Sequence, residues 1–267
     1  GRQVTVFEAE PQVGGLAAGF KADHWEWSLE KFYHHWFASD SHILSLTDEL
    51  GVRDRVLFPR PVTVMYHEGK FYQFDSLLSA LLFPGLGWGL DKLRFGLVGL
   101  YLRFTKNWRV LEGFTVEEWM RTWAGKRAYE TMWEPMLVGK FGERNAPLVN
   151  MAWFWARMHA RTPRLGTFVG GFQAFLDLLA DHARRHGTLI RLHSPVLEID
   201  TTPEERVTLR TPAGRETFDQ LLTTTSPAFF ARSAPRLPQA YKDQIGRLRS
   251  LGAVAMVLAL DRQLGPK

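Results

Sequence analysis

The chain has 267 residues, 45% hydrophobic and 23% charged, a globular composition with enough apolar material for one large core or two smaller ones. That excludes a wholly disordered chain, and the absence of cysteine excludes a disulfide scaffold, a thiolate metal site and a cysteine nucleophile. The formal charge of +5, from 33 Lys and Arg against 28 Asp and Glu, is a weak pull toward anionic ligands or a lipid surface. No nucleic-acid recognition motif appears, so nucleic acid is not an expected partner, and the nine His are too scattered to predict a metal site.

Residues 4–8 (VTVFE) are β-branched and aromatic with an acid at the end, which reads as a buried parallel strand. A parallel pair needs a crossover of a dozen or more residues, so its partner is a later strand or lies upstream of this chain. Residues 253–260 (AVAMVLAL) read as a second buried strand a few residues before Lys267, and together the two ends predict an excerpt of a longer protein. All ten Trp fall between Trp25 and Trp155, which divides the chain into two compositional zones and predicts two domains.

The apolar stretch 77–104 is broken by Pro84, four Gly between Gly85 and Gly96, and Asp91, Lys92 and Arg94. It reads as a loop followed by an amphipathic helix from about Leu90 rather than a membrane span. With no signal segment and no long apolar run, a cytoplasmic protein is expected; Lys92, Arg94 and Arg103 leave open a peripheral contact at the inner face of the membrane. Thr115 and Glu118 have the spacing of a capping box, which predicts a helix start. Residues 170–187 (GGFQAFLDLLADHARRHG) place Phe172, Phe175, Leu176, Leu179 and Ala183 on one helical face with Gly187 as the cap. Short strands are expected at 188–192, 196–199, 207–210 and 216–222, with turns at Pro203 and 212–214, giving an α/β class.

Three groups of residues could carry chemistry. In FEAEPQVGGLAAGF, Glu8 ends a strand, where its carboxylate can accept ribose hydroxyls, and Gly14 and Gly15 let the backbone approach a pyrophosphate. Alone, a strand-terminal Glu is a solvated end residue and a Gly pair is a turn; their order and spacing after a hydrophobic strand point to a nucleotide. Glu30, Lys31, Tyr33, His34 and His35 lie among Trp25, Trp27 and Trp36. Adjacent side chains diverge, so at most one of the two His faces a ligand as a proton carrier; the alternative is a pair satisfied by backbone at a domain junction. Trp133, Glu134, Pro135, Lys140, Phe141, Trp153, Trp155 and Arg157 could wall an apolar substrate tunnel, with Lys140 or Arg157 reading a carboxylate or phosphate, or could be ordinary core and surface anchors. No Gly-x-Ser-x-Gly elbow, P-loop or HExxH is present, so serine and metal hydrolases are unsupported.

VTVFEAEPQVGGLAAGF resembles the second strand and glycine pair of the FAD-dependent amine oxidase, protoporphyrinogen oxidase and phytoene desaturase superfamily. GTFVGGFQAFLDLLADHARRHG resembles its helix re-entering the flavin domain, SPVLEID its adenine-contacting strand, and LLTTTSPAFF its strand ending in a Thr-x-Pro-like turn. LEKFYHHWF, WEPMLVGKFG and WFWARM are most similar to the bacterial protoporphyrinogen-oxidase-like branch, related to UDP-galactopyranose mutase. The resemblance implies a discontinuous Rossmann-like FAD domain over 1–58 and 165–227, and a mixed helical and sheet substrate domain over 59–164 and 228–267. It implies Glu8 on the adenosine ribose, Gly14 and Gly15 near the pyrophosphate, the Val196 backbone on adenine, and the His34–His35 loop beside the flavin ring. Many members carry a basic residue after the glycine pair, where this chain has Leu16. The family's GxGxxG turn would precede Gly1 and its last flavin-binding segment would follow Lys267. The implied activity is oxidation of a lipophilic or aromatic small molecule by hydride transfer to FAD, with Tyr33, Lys140, Trp155 and Arg157 as substrate candidates. A mutase-like non-redox flavoenzyme, or a non-catalytic substrate- or membrane-binding fragment, is the alternative.

Overall fold

Short β-branched runs and amphipathic stretches alternate through the chain, and the computed structural model describes residues 1–201, 206–248 and 250–262. In order, the elements begin with β1 (Thr5–Phe7), β2 (Gly19–Phe20), β3 (Leu29–Glu30), β4 (Trp36–Phe37), α1 (Ser41–Glu49), β5 (Val56–Leu57), β6 (Val64–His67) and β7 (Lys70–Gln73). A helical stretch follows: α2 (Leu77–Leu82), α3 (Leu90–Phe104), α4 (Val116–Trp123), α5 (Lys126–Ala128), a π-turn (Tyr129–Trp133), α6 (Glu134–Phe141) and α7 (Met151–Ala160). The last part holds β8 (Leu165–Phe168), α8 (Phe172–Arg185), β9 (Leu189–Arg191), β10 (Glu198–Thr201), β11 (Val207–Thr211), β12 (Gly214–Phe218), α9 (Pro227–Ser233) and α10 (Gln239–Gly246). The fold is thus the expected mixture of helix and sheet.

Two compact units result: residues 1–34 with 168–267, and residues 35–167. In the first, β1 pairs in parallel with β9, Val6 opposite Ile190, so the early strand finds its partner late in the chain. It is not the buried strand expected, since Val4 and Val6 are 46% and 41% exposed. The amphipathic α8 presses Phe172 and Phe175 inward, with Phe168 packed edge-on against Phe175, and Gly187 closes it at φ +88. β10, β11 and β12 form an antiparallel meander with Thr208 opposite both Asp200 and Thr217.

In the second unit Phe95, Val98 and Leu102 of α3 pack with Val116 and Met120 of α4 and Met151 and Phe154 of α7. The Thr115 hydroxyl accepts the Glu118 N–H at 3.2 Å and the Glu118 carboxylate accepts the Thr115 N–H at 2.9 Å, which closes the expected capping box. Arg121 binds Glu117 and Glu130 at 2.9 and 2.8 Å and lies over the ring of the buried Tyr129.

Several expectations change. Residues 253–260 form no strand and are exposed, Val254 at 99%, because no strand among the described residues offers them a ladder. Residues 219–225 are likewise not a strand: β12 ends at Phe218, Leu222 is 87% exposed, and Ser226 instead caps α9 by accepting the Phe229 N–H at 3.2 Å. Val196 lies before β10 rather than in it. The turn expected at Pro203 lies outside the described residues. The units divide after His34 and after Thr167, so 35–58 fall with the second unit, where β4 and β5 flank β8 in one sheet. Residues from 228 onward fall with the first, where Arg236 pairs with Asp200 at 3.1 Å.

Candidate functional site

The site is built at the C-terminal end of β1 in the first unit. The parallel ladder continues past the strand, with Glu8 N–H donating to the Arg191 carbonyl at 2.9 Å and Ser194 N–H donating to the Glu8 carbonyl at 2.8 Å. His193 N–H then reaches the Glu10 carbonyl at 3.2 Å, so the turn after β1 and the loop after β9 are laced together. The half-buried Glu8 side chain turns back to accept the Glu10 N–H at 2.9 Å through Oε1. Oε2 makes no hydrogen bond among the described residues and is left to accept from a ligand.

The glycine pair follows. Gly14 sits at φ +129, and a Cβ there would lie 2.8 Å from Leu176 Cδ1 and 3.0 Å from Ala18 Cα. Only glycine fits, for conformational and for steric reasons. Gly15 at φ +53 meets nothing within 4 Å, so its outer side is open space beside bare backbone. The N–H groups of Gly14, Gly15 and Leu16 make no hydrogen bond among the described residues. Val196, two residues beyond the Ser194 lacing, likewise has neither its N–H nor its carbonyl engaged among them. The structure therefore laces Glu8 to the loop that leads to Val196, while the glycine pair lies farther along the turn after β1, against Leu176 of α8.

Two of the supporting residues, Gln173 and Gln12, are ones that sequence reasoning passed over. Gln173 accepts the Gly19 N–H at 2.9 Å and donates to the Val13 carbonyl at 3.1 Å, which clamps the chain on both sides of the glycine pair to α8. Gln12 donates to the Gly19 carbonyl at 2.9 Å. Glu30 accepts the first α8 N–H, that of Phe172, at 2.9 Å, so this acid caps a helix. A Cβ on Gly171 would lie 2.4 Å from the Ser28 carbonyl oxygen. The two glycines before α8 were legible in the sequence, but no local pattern in the sequence marks Gln173 as a clamp.

The other candidates separate. Tyr33 is 78% exposed, and His34 holds the Phe32 carbonyl through Nδ1 at 2.7 Å with its ring edge-on to Phe172. A carbonyl only accepts, so neutral His34 carries its proton at Nδ1 and presents Nε2 as an acceptor. His35, in the second unit, packs edge-on against Phe37. On α7, Trp155 donates to the Thr105 carbonyl at 3.0 Å and stacks on His159, while Arg157 lies over Trp153, which contacts Phe141 edge-on. Lys140 precedes Phe141 at the end of α6 and is exposed. Arg157 and Trp155 thus belong to two different contact lines rather than to one cluster.

No curated protein sequence matches the chain. Among solved structures it is similar to an oxidoreductase from Methanosarcina mazei, with a TM-score of 0.66 and 16% identity over 92% of this chain and 60% of that one. Cyclohexylamine oxidase from Brevibacterium oxydans IH-35A gives 0.62 and 16% over 91% and 57%. A CLA-producing fatty acid isomerase from P. acnes gives 0.61 and 12% over 91% and 57%. The chain thus spans less than two thirds of the length of these structures, and the likeness at such identity is one of fold. The sequence profile described as flavin containing amine oxidoreductase matches residues 1–267. An acid with a spare acceptor oxygen at a strand end and bare glycine backbone in the turn beyond it are residues able to hold a nucleotide cofactor, and the chain belongs to the flavin containing amine oxidoreductase family.

Proposed function

We propose that this chain supplies part of the cofactor grip and part of the substrate region of an FAD-dependent oxidoreductase acting on a lipophilic or aromatic small molecule. In this reading residues 1–34 and 168–267 serve the cofactor and residues 35–167 the substrate. The observation that supports it is the lacing of Glu8 to Ser194, which leaves one Glu8 carboxylate oxygen without a partner among the described residues, with the open backbone at Gly15 in the same turn after β1.

Glu8 Oε2 would accept hydrogen bonds from the ribose hydroxyls, the N–H groups of Gly14 and Gly15 would serve the pyrophosphate, and the Val196 main chain would serve the adenine. Bound flavin supplies the two-electron acceptor for substrate oxidation. His34 Nε2, poised as an acceptor by the Phe32 carbonyl at Nδ1, takes a substrate proton. Trp155, held by its bond to Thr105, offers an apolar surface to substrate, and on the other contact line of α7 Arg157, like the exposed Lys140, offers positive charge to a carboxylate.

The test is the visible spectrum of the full-length protein dialysed against FAD. Glu8→Ala removes a charged acceptor and is expected to weaken FAD retention by about 10- to 100-fold without a matching fall in melting temperature. Retention equal in both proteins, or absent from both, refutes the assignment.

A further inference from the structure

We propose that the outward stripe of α3, with Trp88 and the adjoining face of α2, is a docking surface for an anionic lipid bilayer. This surface lies wholly in the second unit and is independent of the flavin reading. α3 is apolar on two sides. Phe95, Val98 and Leu102 enter the core, whereas Leu90, Leu93, Leu97, Leu100, Tyr101 and Phe104, spaced three and four apart, form a second stripe that faces outward, Leu90 at 76% and Phe104 at 73% exposed. Trp88, 82% exposed, stands just before the helix. Leu78 and Leu82, one turn apart on α2, are exposed too, and Leu81 of α2 packs toward Gly96 of α3. A contiguous apolar patch of this kind marks an interaction surface rather than scattered exposure.

Charge selects the occupant. Residues 88–109 hold Lys92, Arg94, Arg103, Lys106 and Arg109 against Asp91 alone, five minus one, so these residues carry +4 of the chain's formal +5. Lys92 Nζ lies 4.7 Å from the Trp88 ring centre and the Arg109 guanidinium 5.0 Å from that of Trp108, pairing cations with indoles as suits headgroup depth. Arg94 is fixed by the Thr122 carbonyl at 2.6 Å and Arg103 by that of Arg161 at 2.9 Å, so the helix is held with its basic ends in place. A second copy would set +4 against +4, which disfavours self-association through this face. α3 has 15 residues, short of the roughly 20 that cross a bilayer, and no helix among the described residues is long and apolar enough to do so. It therefore lies along the interface.

The experiment is co-sedimentation of the full-length protein with phosphatidylcholine vesicles, with and without about 30% phosphatidylglycerol, at low and high salt. Binding is expected on the anionic vesicles, weakened by salt and several-fold lower on neutral ones. Leu93→Glu with Leu97→Glu should lose about 100-fold or more in partitioning. Lys106→Ala with Arg109→Ala should lose about 30-fold on anionic vesicles and little on neutral ones, and both pairs, being exposed, should melt as the parent does. Vesicle binding unchanged in both double variants overturns the proposal, as does the absence of binding by the parent. A dimer that Leu93→Glu with Leu97→Glu dissociates, with no vesicle binding, would assign the patch to a second copy instead.

Discussion

Replacing each glycine of the pair by alanine separates the two roles that the backbone gives them. At Gly14 the alanine must adopt φ +129, ψ −20, a region costing a side-chain-bearing residue about 2–3 kcal/mol. Its Cβ would also lie 3.0 Å from Ala18 Cα and 2.8 Å from Leu176 Cδ1; the leucine can rotate, but the backbone cannot, which adds about 1–3 kcal/mol. At Gly15 the residue is left-handed at φ +53 with nothing within 4 Å, so the cost is about 1–2 kcal/mol. Reduced freedom of the unfolded chain returns roughly 0.5–1 kcal/mol in both cases. The net difference, about 2–4 kcal/mol, corresponds to a melting temperature lower by about 5–15 °C for Gly14→Ala than for Gly15→Ala. Scanning calorimetry of the two variants measures it. If the proposed pyrophosphate site is right, Gly15→Ala should weaken FAD retention more than its effect on stability would suggest, because its Cβ enters the open side proposed for the pyrophosphate. Equal melting temperatures, or a larger fall for Gly15→Ala, refutes the reasoning from φ and contact distance.

Other perturbations test the supporting structure. Glu30→Ala strips the acceptor from Phe172 N–H and should destabilise α8 by about 1–2 kcal/mol, read as faster amide exchange in its first turn; unchanged exchange there removes Glu30 from the capping role. Gly171→Ala brings a Cβ to 2.4 Å from the Ser28 carbonyl and should cost about 3 kcal/mol or more, so a variant melting with the parent contradicts that contact. Phe154→Ala empties a site 1% exposed in the second core, with an expected loss of about 3–5 kcal/mol by urea titration. The Thr115 backbone N–H, then its hydroxyl, hold the Glu118 carboxyl below its ordinary value. A lowered folded value means that this contribution is present above the unfolded carboxylate range and fades as pH falls through the folded one, so Glu118→Gln should flatten the acid side of the stability profile. An acid limb of the same slope in Glu118→Gln would count against it.

Elements governed by neighbours in sequence were legible in advance. The α4 capping box needs only Thr115 and Glu118 three residues apart, and α8 is set by its apolar period, its leading glycines and Gly187. Glu8 and the glycine pair could be singled out for the same reason, since a hydrophobic strand, an acid and a tight turn are local signals. Ladder partners are not local. The run 253–260 has the composition of a buried strand yet stays exposed, because β-structure exists only where another strand satisfies its N–H and carbonyl groups. Residues 219–225 fail as a strand in the same way.

The tertiary structure also decided which polar groups were spent and which were left. His34 and Glu30 look equivalent in sequence as candidates; folding commits Glu30 to the start of α8 and gives His34 a defined proton at Nδ1. Lys140, Trp155 and Arg157 read as one aromatic and basic cluster, but Trp155 closes on Thr105 while Arg157 turns to Trp153. By itself the sequence determined α3, α4 with its capping box, α8, the glycine turn and the family to which they point, because those depend on residues within a few positions of one another. Which strand β1 joins, that Gln173 clamps the chain on both sides of the glycine pair, and that α3 turns a second apolar stripe outward were decided by contacts between distant segments, whose free energy no local pattern encodes.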